Sequence, residues 1–202
     1  MKQLMLICIF FSLLNINDVF GISVPLHSGI YKGLGSLFLI DKGNHMEGYY
    51  QAFRGEKNDI STVFYFVGVK ATNREKGLFF IKAFYPDSKD TINGVLRVSG
   101  KDQVMITLKS YPPGREFGLD GLTDTFHQVE LKNWSHIAYI NCRKVLLLKT
   151  SIDKSKRGRY LNQFDCIALK EKVSDSLEVE CIGVNGVKAG FVRRSCVTLL
   201  GY

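Results

Sequence analysis

The sequence predicts an all-β protein in which an antiparallel meander barrel or sandwich is followed by a small five-stranded barrel. From Ser28 onward, apolar and polar residues alternate with a period of two in short runs, which is the pattern of half-buried strands. Turn residues separate these runs at intervals of roughly ten residues, as in sandwiches and barrels. The periodicity of amphipathic helices is almost absent.

The strands of the first domain are predicted in order along the chain, and each ends at a turn. Gly, Asn and Pro residues, which favour turns, separate them, as at residues 41–44, 54–55 and 111–114. The predicted strands are residues 37–40, 47–53, 63–67, 78–85, 91–98 and 104–108.

The opening of this domain, Ser28-Gly-Ile-Tyr-Lys-Gly followed by a Gly-Ser-Leu strand and Gly48-Tyr-Tyr, resembles the avidin-like and lipocalin-like (calycin) barrels. The resemblance implies a barrel over residues 22–115 that holds a small ligand between inward aromatic side chains. The alternative is that these aromatic residues simply fill the core, which the 14 Phe residues of the chain favour. The aromatic candidates are Tyr49, Phe64, Phe66 and Phe80.

Residues 116–133 are predicted to be a linker or long loop between the two domains. The segment 111–128 contains two prolines and two glycine turns, and it carries Glu116, Asp120 and Asp124. A long loop between rigid sheets is a common place for a partner to bind. Trp134, the only Trp, is expected to pack between the domains, and it lies inside a sequon at Asn133 whose use depends on the source organism.

The last third of the chain has its own order of elements. A strand over residues 139–148 is followed by a polar excursion, 150–159, and three further strands are separated by turns at 172–175 and 185–186. The chain then ends on the strand-forming segment 189–200.

This order resembles the bacterial SH3 (SH3b) domain. Residues 158–161 followed by 165–169 match its second element, and Gly190-Phe191-Val192 matches its Gly-Trp-Val strand. Phe191 and Leu177 stand where the family commonly has Trp residues in its ligand groove. The resemblance implies an SH3b-like domain over residues 134–202 and a peptide or peptidoglycan ligand.

Four cysteines lie in this domain, and three pairings are formally possible. A hairpin centred on residues 172–175 places Cys166 opposite Cys181, at the Cα separation of roughly 4.5 to 5.5 Å that a disulfide accepts. In an SH3b-like barrel the last strand returns beside the first, so the resemblance implies that Cys142 pairs with Cys196. No Cys-x-x-Cys spacing occurs, so no metal is expected.

Residues 1–21 predict a secretory signal peptide. Lys2 precedes an apolar run over residues 4–14, and Val19-Phe-Gly21 suits cleavage after Gly21. A lipid anchor on Cys8 is disfavoured because Ile7, rather than a small residue, precedes it. No later stretch approaches the roughly 20 apolar residues of a spanning helix. We therefore expect an exported protein, periplasmic or secreted, without a membrane span.

The net charge of +8 is concentrated in the last third. Residues 134–202 hold 12 Lys or Arg against 6 Asp or Glu, whereas residues 22–133 hold 14 against 12. Such a basic face suits an anionic glycan, a membrane surface or an acidic protein. The alternative is a solvated loop with edge-strand lysines that hinder aggregation. The candidate residues are Lys154, Lys156, Arg157, Arg159, Arg193 and Arg194.

The sequence contains no catalytic constellation, so neither an enzyme nor a cofactor is expected. A Gly-x-Ser-x-Gly motif, a P-loop and a dinucleotide fingerprint are absent, and the four histidines are scattered. Basic and aromatic residues do not interleave as they do in nucleic-acid platforms, so no nucleic acid is expected.

Two functions follow as hypotheses. The first is an exported, non-enzymatic inhibitor or immunity-type protein that binds a cell-envelope toxin or a cell-wall hydrolase. The second is a peptidoglycan-associated SH3b protein with a ligand-binding barrel. An enzyme whose nucleophile and base come from distant loops stays open. The expected partner-binding residues lie on the two longest polar interruptions and are Glu116, Asp120, Asp124, Lys154, Lys156, Arg157 and Arg159.

Overall fold

The computed structural model describes residues 25–54, 59–72, 77–110, 123–150, 159–173, 175–182 and 188–201. These residues form an all-β protein, as predicted, with one short 3-10 turn, Arg194–Cys196, near the C-terminus. The strands fall into a barrel and a C-terminal unit.

The barrel is closed and antiparallel: each of its eight strands pairs with the next, and the last pairs with the first. The structure thus selects the barrel over the sandwich. The strands are β1 (Gly29–Lys32), β2 (Gly35–Asp41), β3 (His45–Arg54), β4 (Asp59–Lys70), β5 (Leu78–Phe84), β6 (Thr91–Val98), β7 (Gln103–Leu108) and β8 (Thr123–Leu131).

Strand β8 is the main difference from the predicted organisation, because it occupies half of the predicted linker, 116–133. The Gly and Pro residues that suggested a linker all precede it. Within β8, buried Asp124 and Phe126 alternate with exposed Thr123 and Thr125, which is the period of a strand. Its pairing with both β7 and β1 closes the barrel.

Side chains fill the interior of the barrel. Phe64 and Phe66 are fully buried there, together with Tyr31, Tyr50 and Phe126. A methyl group at Gly48 would lie 1.9 Å from the ring of Phe66, so glycine makes room for that ring. Phe64 and Phe66 are therefore packing residues of the core.

The other two aromatic candidates do not point inward. Tyr49 and Phe80 occupy the alternate positions of their strands, so they lie on the outer surface of the barrel. Tyr49 is buried there against the C-terminal unit, whereas Phe80 is 59% exposed. The expectation that both line the interior is wrong.

The C-terminal unit contains a five-stranded sheet in the order β14-β13-β12-β9-β15 and a two-stranded hairpin, β10-β11. An isolated bridge between Leu148 and Phe191 links the hairpin to β14. The predicted first strand, 139–148, is divided into β9 and β10. The strands are β9 (His136–Ile140), β10 (Lys144–Leu147), β11 (Arg159–Asn162), β12 (Cys166–Val173), β13 (Ser176–Cys181), β14 (Lys188–Arg193) and β15 (Val197–Leu199).

The expected disulfide between Cys142 and Cys196 is present, with a Cα–Cα distance of 5.0 Å. It ties the residues that follow β9 to the turn that precedes β15. Next to it, the amide of Asn141 donates to the carbonyl of Cys196 at 3.0 Å. The disulfide therefore fastens the first and last strands of this unit to each other.

The expected Cys166–Cys181 disulfide is wrong, because both thiols are free and buried. The innermost pair of the hairpin is Val173 and Ser176, one residue later than predicted, and a bulge after Leu169 changes the register again. Cys181 therefore lies opposite Ile167. Since neighbouring residues of a strand point to opposite faces, the two sulfur atoms lie on opposite sides of the sheet.

The C-terminal sheet packs on the outer surface of β1 to β4. The apolar contact includes Phe38, Tyr49 and Tyr65 of the barrel and Ile137 of β9. Trp134 is 5% exposed and its ring centroid lies 6.4 Å from that of Phe38, which confirms that it packs between the two units.

Candidate functional site: an apolar groove on the barrel

Most of the predicted partner-binding residues lie outside the described residues. These are Glu116, Asp120, Lys154, Lys156 and Arg157. Only Asp124 and Arg159 are placed by the structure.

Asp124 does not lie on an exposed loop. Its side chain points into the end of the barrel, and the residue is 7% exposed. Its Oδ1 accepts a hydrogen bond from the backbone N–H of Thr125 at 2.8 Å. Burial raises the pKa of this carboxyl group, although backbone hydrogen bonds oppose the shift. A buried carboxyl of this kind is poorly placed to bind a partner directly.

Arg159, by contrast, is exposed at the start of β11. Burial raises the pKa of Cys181 to about 11, and the positive charges of Arg159 and Lys188 oppose that rise, so both lie near this thiol. Tyr160 follows Arg159 in the strand and therefore points to the opposite face, where the Lys144 Nζ atom lies 4.5 Å from its ring centroid. We call Lys144 and Tyr160 the basic surface. Its exposed aromatic ring is already covered on one side by a lysine.

A second exposed surface lies on the barrel, where residues of four strands form a line. Val69, Phe80, Val95 and Thr107 are direct partners across β4, β5, β6 and β7. Because they share one register position, their side chains stand side by side on the outer face. Phe80 is 59% exposed and Val69 is 44% exposed. We call these four residues the exposed row.

Three residues of the exposed row, Val69, Phe80 and Val95, line a groove of about 740 Å³. Val67 lines the groove and also packs against the apolar contact with the C-terminal unit, so the groove begins where that contact ends. On the side of the row nearer the β5–β6 turn, Lys82 and Lys109 line the groove together with Asn93. The lining is thus apolar along its centre and cationic along one rim.

The strands β5, β6 and β7 carry only positive charges, whereas the β5–β6 turn carries Asp87 and Asp90 as well as Lys89. The charged residues of β5 and β6 are Lys82 and Arg97, both basic, and β7 has none. Single exposed apolar residues are normal on protein surfaces, whereas apolar residues that stand side by side offer a candidate contact surface. An apolar row beside two lysines is a surface for a ligand that has apolar and negative groups together.

The sequence contains a signal for this site that the prediction missed. Lys82 must face water, and Phe80 stands two residues before it in β5, so the period of two places both on the outer face. What the sequence did not reveal is that Val69 and Val95 lie beside Phe80, because that depends on register.

A second concave region, of about 500 Å³, lies at the junction between the units. Its lining includes Lys132, Trp134, Lys170 and Glu180. Glu180 accepts hydrogen bonds from the Trp134 Nε1–H group at 2.8 Å and from Lys170 at 2.7 Å. Burial alone would raise the pKa of Glu180, but these bonds and the charge of Lys132 lower it overall. The polar groups around Glu180 bind one another, so we interpret this region as part of the junction.

Among the described residues, no group of three or more His, Cys, Asp and Glu is arranged to hold a metal ion. Nor does that part of the chain contain a helix with the length and apolar character needed to cross a bilayer. Comparison with protein-family models, with curated proteins and with solved structures finds no match for this chain.

Proposed function

We propose that this chain is an exported, non-enzymatic binding protein that neutralises a cell-envelope toxin or a cell-wall hydrolase by binding it. The observation that supports this proposal is the exposed row on the barrel, with Phe80 at its centre and Lys82 and Lys109 at its rim. Aromatic residues are enriched among the residues that contribute most to protein–protein binding.

The construction of the barrel supports binding at its outside. Tyr50, Phe64, Phe66 and Phe126 occupy its interior, so the apolar surface offered to a ligand is on the outer face. The closed sheet and the covered outer face of β1 to β4 hold the exposed row in place. A preformed surface loses little conformational entropy on binding, which favours affinity.

For the C-terminal unit we propose an SH3-like fold. Three features support it: the order β14-β13-β12-β9-β15, the hairpin β10-β11 inserted after the first strand, and the 3-10 turn before the last strand. Leu177 is buried in the core and Phe191 is half-buried beside Leu148, so neither is an exposed groove residue. This unit then covers and stabilises the barrel.

A second candidate function is association with peptidoglycan through the basic surface. The observation that favours it is the exposed Tyr160, whose ring could pack on a sugar while Lys144, with its Nζ atom 4.5 Å from the ring centroid, binds an anionic group. A pull-down with purified peptidoglycan, using wild type and a Tyr160→Ala variant, tests this candidate. Binding that depends on Tyr160 would support it.

The experiment that tests the first function is site-specific photo-crosslinking. A photoreactive phenylalanine analogue is placed at residue 80 in one variant and at residue 160 in a matched variant, and both are expressed in the producing cells. We expect the first variant to form a discrete adduct with a protein and the second to form none. Adducts at residue 160 alone, or none at residue 80, would contradict the proposal.

A further inference from the structure

We infer that the groove binds an extended polypeptide segment in which carboxylates flank an apolar side chain. This inference rests on the proposed function and specifies the partner's chemistry. Its basis is the geometry of the exposed row, the charge along its rim and the closed sheet around it.

The closed sheet determines how such a segment binds. At the exposed row each strand is paired on both sides, so a partner cannot add a strand there. The segment must therefore lie across the strands and bind through its side chains. This is the direction of the exposed row, which crosses β4 to β7.

The length of the row indicates the length of the segment. Val69, Phe80 and Val95 line the groove on three neighbouring strands about 4.8 Å apart, so two spacings extend about 10 Å, which an extended chain covers with about three residues. Phe80 stands near the middle of the row, between Val69 and Val95, and is its most exposed apolar residue. One apolar side chain of the segment packs on this ring.

The rim determines the charge of the segment. Lys82 and Lys109 are both exposed and both line the same side of the groove. Carboxylates on the segment bind these lysines and accelerate its association. A second copy of this chain, with its net charge of +8, would on average bring further positive charge to this rim.

The shape of the groove favours a polypeptide over a membrane. A bilayer surface is bound by apolar side chains that protrude from a protein, as in interfacial helices. Here Val67 and Val95 line a recess together with Phe80, and a recess receives a protruding side chain. Binding to anionic vesicles is therefore a competing outcome of the test.

The test is a selection of random displayed peptides on the immobilised mature protein. Parallel selections use Phe80→Ser and the double variant Lys82→Glu with Lys109→Glu. We expect peptides selected on wild type to be enriched in Asp and Glu next to a large apolar residue. A synthetic peptide from this selection should lose on the order of tenfold or more in affinity for Phe80→Ser, as expected for a central aromatic contact.

Two matched controls and a charge exchange make the test specific. Leu34→Ser removes another exposed apolar side chain, and Lys89→Glu reverses a lysine in the β5–β6 turn; neither should change the affinity. The double variant should bind the acidic peptide more weakly, and should bind better a peptide in which Lys replaces the acidic residues. If reversing the charges on both the rim and the peptide restores binding, then the charged residues of the peptide contact the rim.

The inference is overturned if no peptide is enriched, if the selected peptides have no acidic excess, or if they bind the groove variants as well as wild type. Phe80-dependent binding to vesicles of anionic phospholipid, without peptide binding, would also overturn it. A protein adduct at residue 80 without an acidic excess would remove this inference and leave the proposed function. Selection of acidic peptides without a protein adduct at residue 80 would support this inference and contradict the proposed function.

Discussion

The barrel has two apolar outer faces, and only one of them is covered. On β1 to β4, Phe38, Tyr49 and Tyr65 point outward and are buried by the C-terminal sheet. On β4 to β7, Phe80 and Val69 point outward and stay exposed. Outward residues of an antiparallel sheet that faces water are usually polar. The first face shows that this barrel places apolar residues outside where something packs on them, which suggests a partner for the second.

The polar groups of the two faces also differ in burial: those of the covered face are buried and hydrogen-bonded, and those of the second face are in water. Glu47 on the covered face is 2% exposed, and its Oε2 accepts a hydrogen bond from the backbone N–H of Ile137 at 2.7 Å. The Tyr65 hydroxyl donates to the carbonyl of Phe164 at 2.9 Å. On the second face, Lys82 and Lys109 stay in water. The polar groups of the covered face are thus bonded within the chain, whereas the lysines beside the exposed row remain hydrated.

The largest expected effect is the difference in stability between two variants, each of which truncates one aromatic side chain on one of the two faces. Tyr65→Ala removes a buried ring and its hydrogen bond and should lower the free energy of unfolding by on the order of 3–5 kcal/mol. Phe80→Ala should change it by less than about 0.5 kcal/mol, because its ring is largely in water. Urea unfolding followed by circular dichroism measures both. Equal losses would mean that Phe80 is also covered.

Removal of the disulfide should have the next largest effect, and it acts on the covering unit. Cys142 and Cys196 are separated by 54 residues, and in the chain-entropy model a loop of this size contributes about 4 kcal/mol. A Cys142→Ser, Cys196→Ser variant should therefore unfold at lower urea concentration, with hydrogen exchange rising first in β9 and β15. Faster exchange confined to the barrel would contradict the location of this effect.

Cys166 and Cys181 provide the matched comparison, because these two thiols are not joined to each other. Protein produced from Ile22 onward and denatured without reductant should react with a thiol reagent at two cysteines. Folded protein should react at neither, since both are buried. If the denatured protein has no reactive thiol, Cys166 and Cys181 are joined in a second disulfide.

An intermediate effect is expected from Glu47, whose buried carboxylate accepts a hydrogen bond from the C-terminal unit. Glu47→Ala leaves the buried N–H of Ile137 without its acceptor, which costs about 1–3 kcal/mol. Lys82→Ala on the other face should leave the free energy of unfolding within about 0.5 kcal/mol of wild type. Thermal and urea unfolding of the two variants test this difference. An equally destabilising Lys82→Ala would show that this lysine is part of a structural contact.

The smallest effect concerns Glu180 at the junction. Its pKa is lowered from 4.5, so the stability that it contributes is complete above that pH and is lost as the pH falls through the lowered pKa. Glu180→Gln should lower the free energy of unfolding at neutral pH by less than about 1 kcal/mol, and the difference should vanish in acid. Glu178→Gln controls for loss of a charge on the same strand. A pH-independent difference would refute the linkage.

Several parts of the fold could be predicted because they depend on local pattern. The strand 91–98 has its predicted bounds, and the other five strands predicted for the barrel differ by a few residues at their ends. Strand β8 was missed because nearby Gly and Pro residues dominated the interpretation of the segment before it. Trp134 was correctly expected between the units, since a lone large aromatic residue next to a domain boundary is readily buried.

Alternation of apolar and polar residues was sufficient to predict an all-β chain, because side chains of a strand must alternate between core and water. It could not determine register, since one bulge after Leu169 moves Cys166 away from Cys181. Nor could it tell which outward aromatic residue is covered, because Tyr49 and Phe80 occupy equivalent positions in their strands. Only the packing of the C-terminal sheet decides that, since it covers β1 to β4 and leaves the exposed row in water.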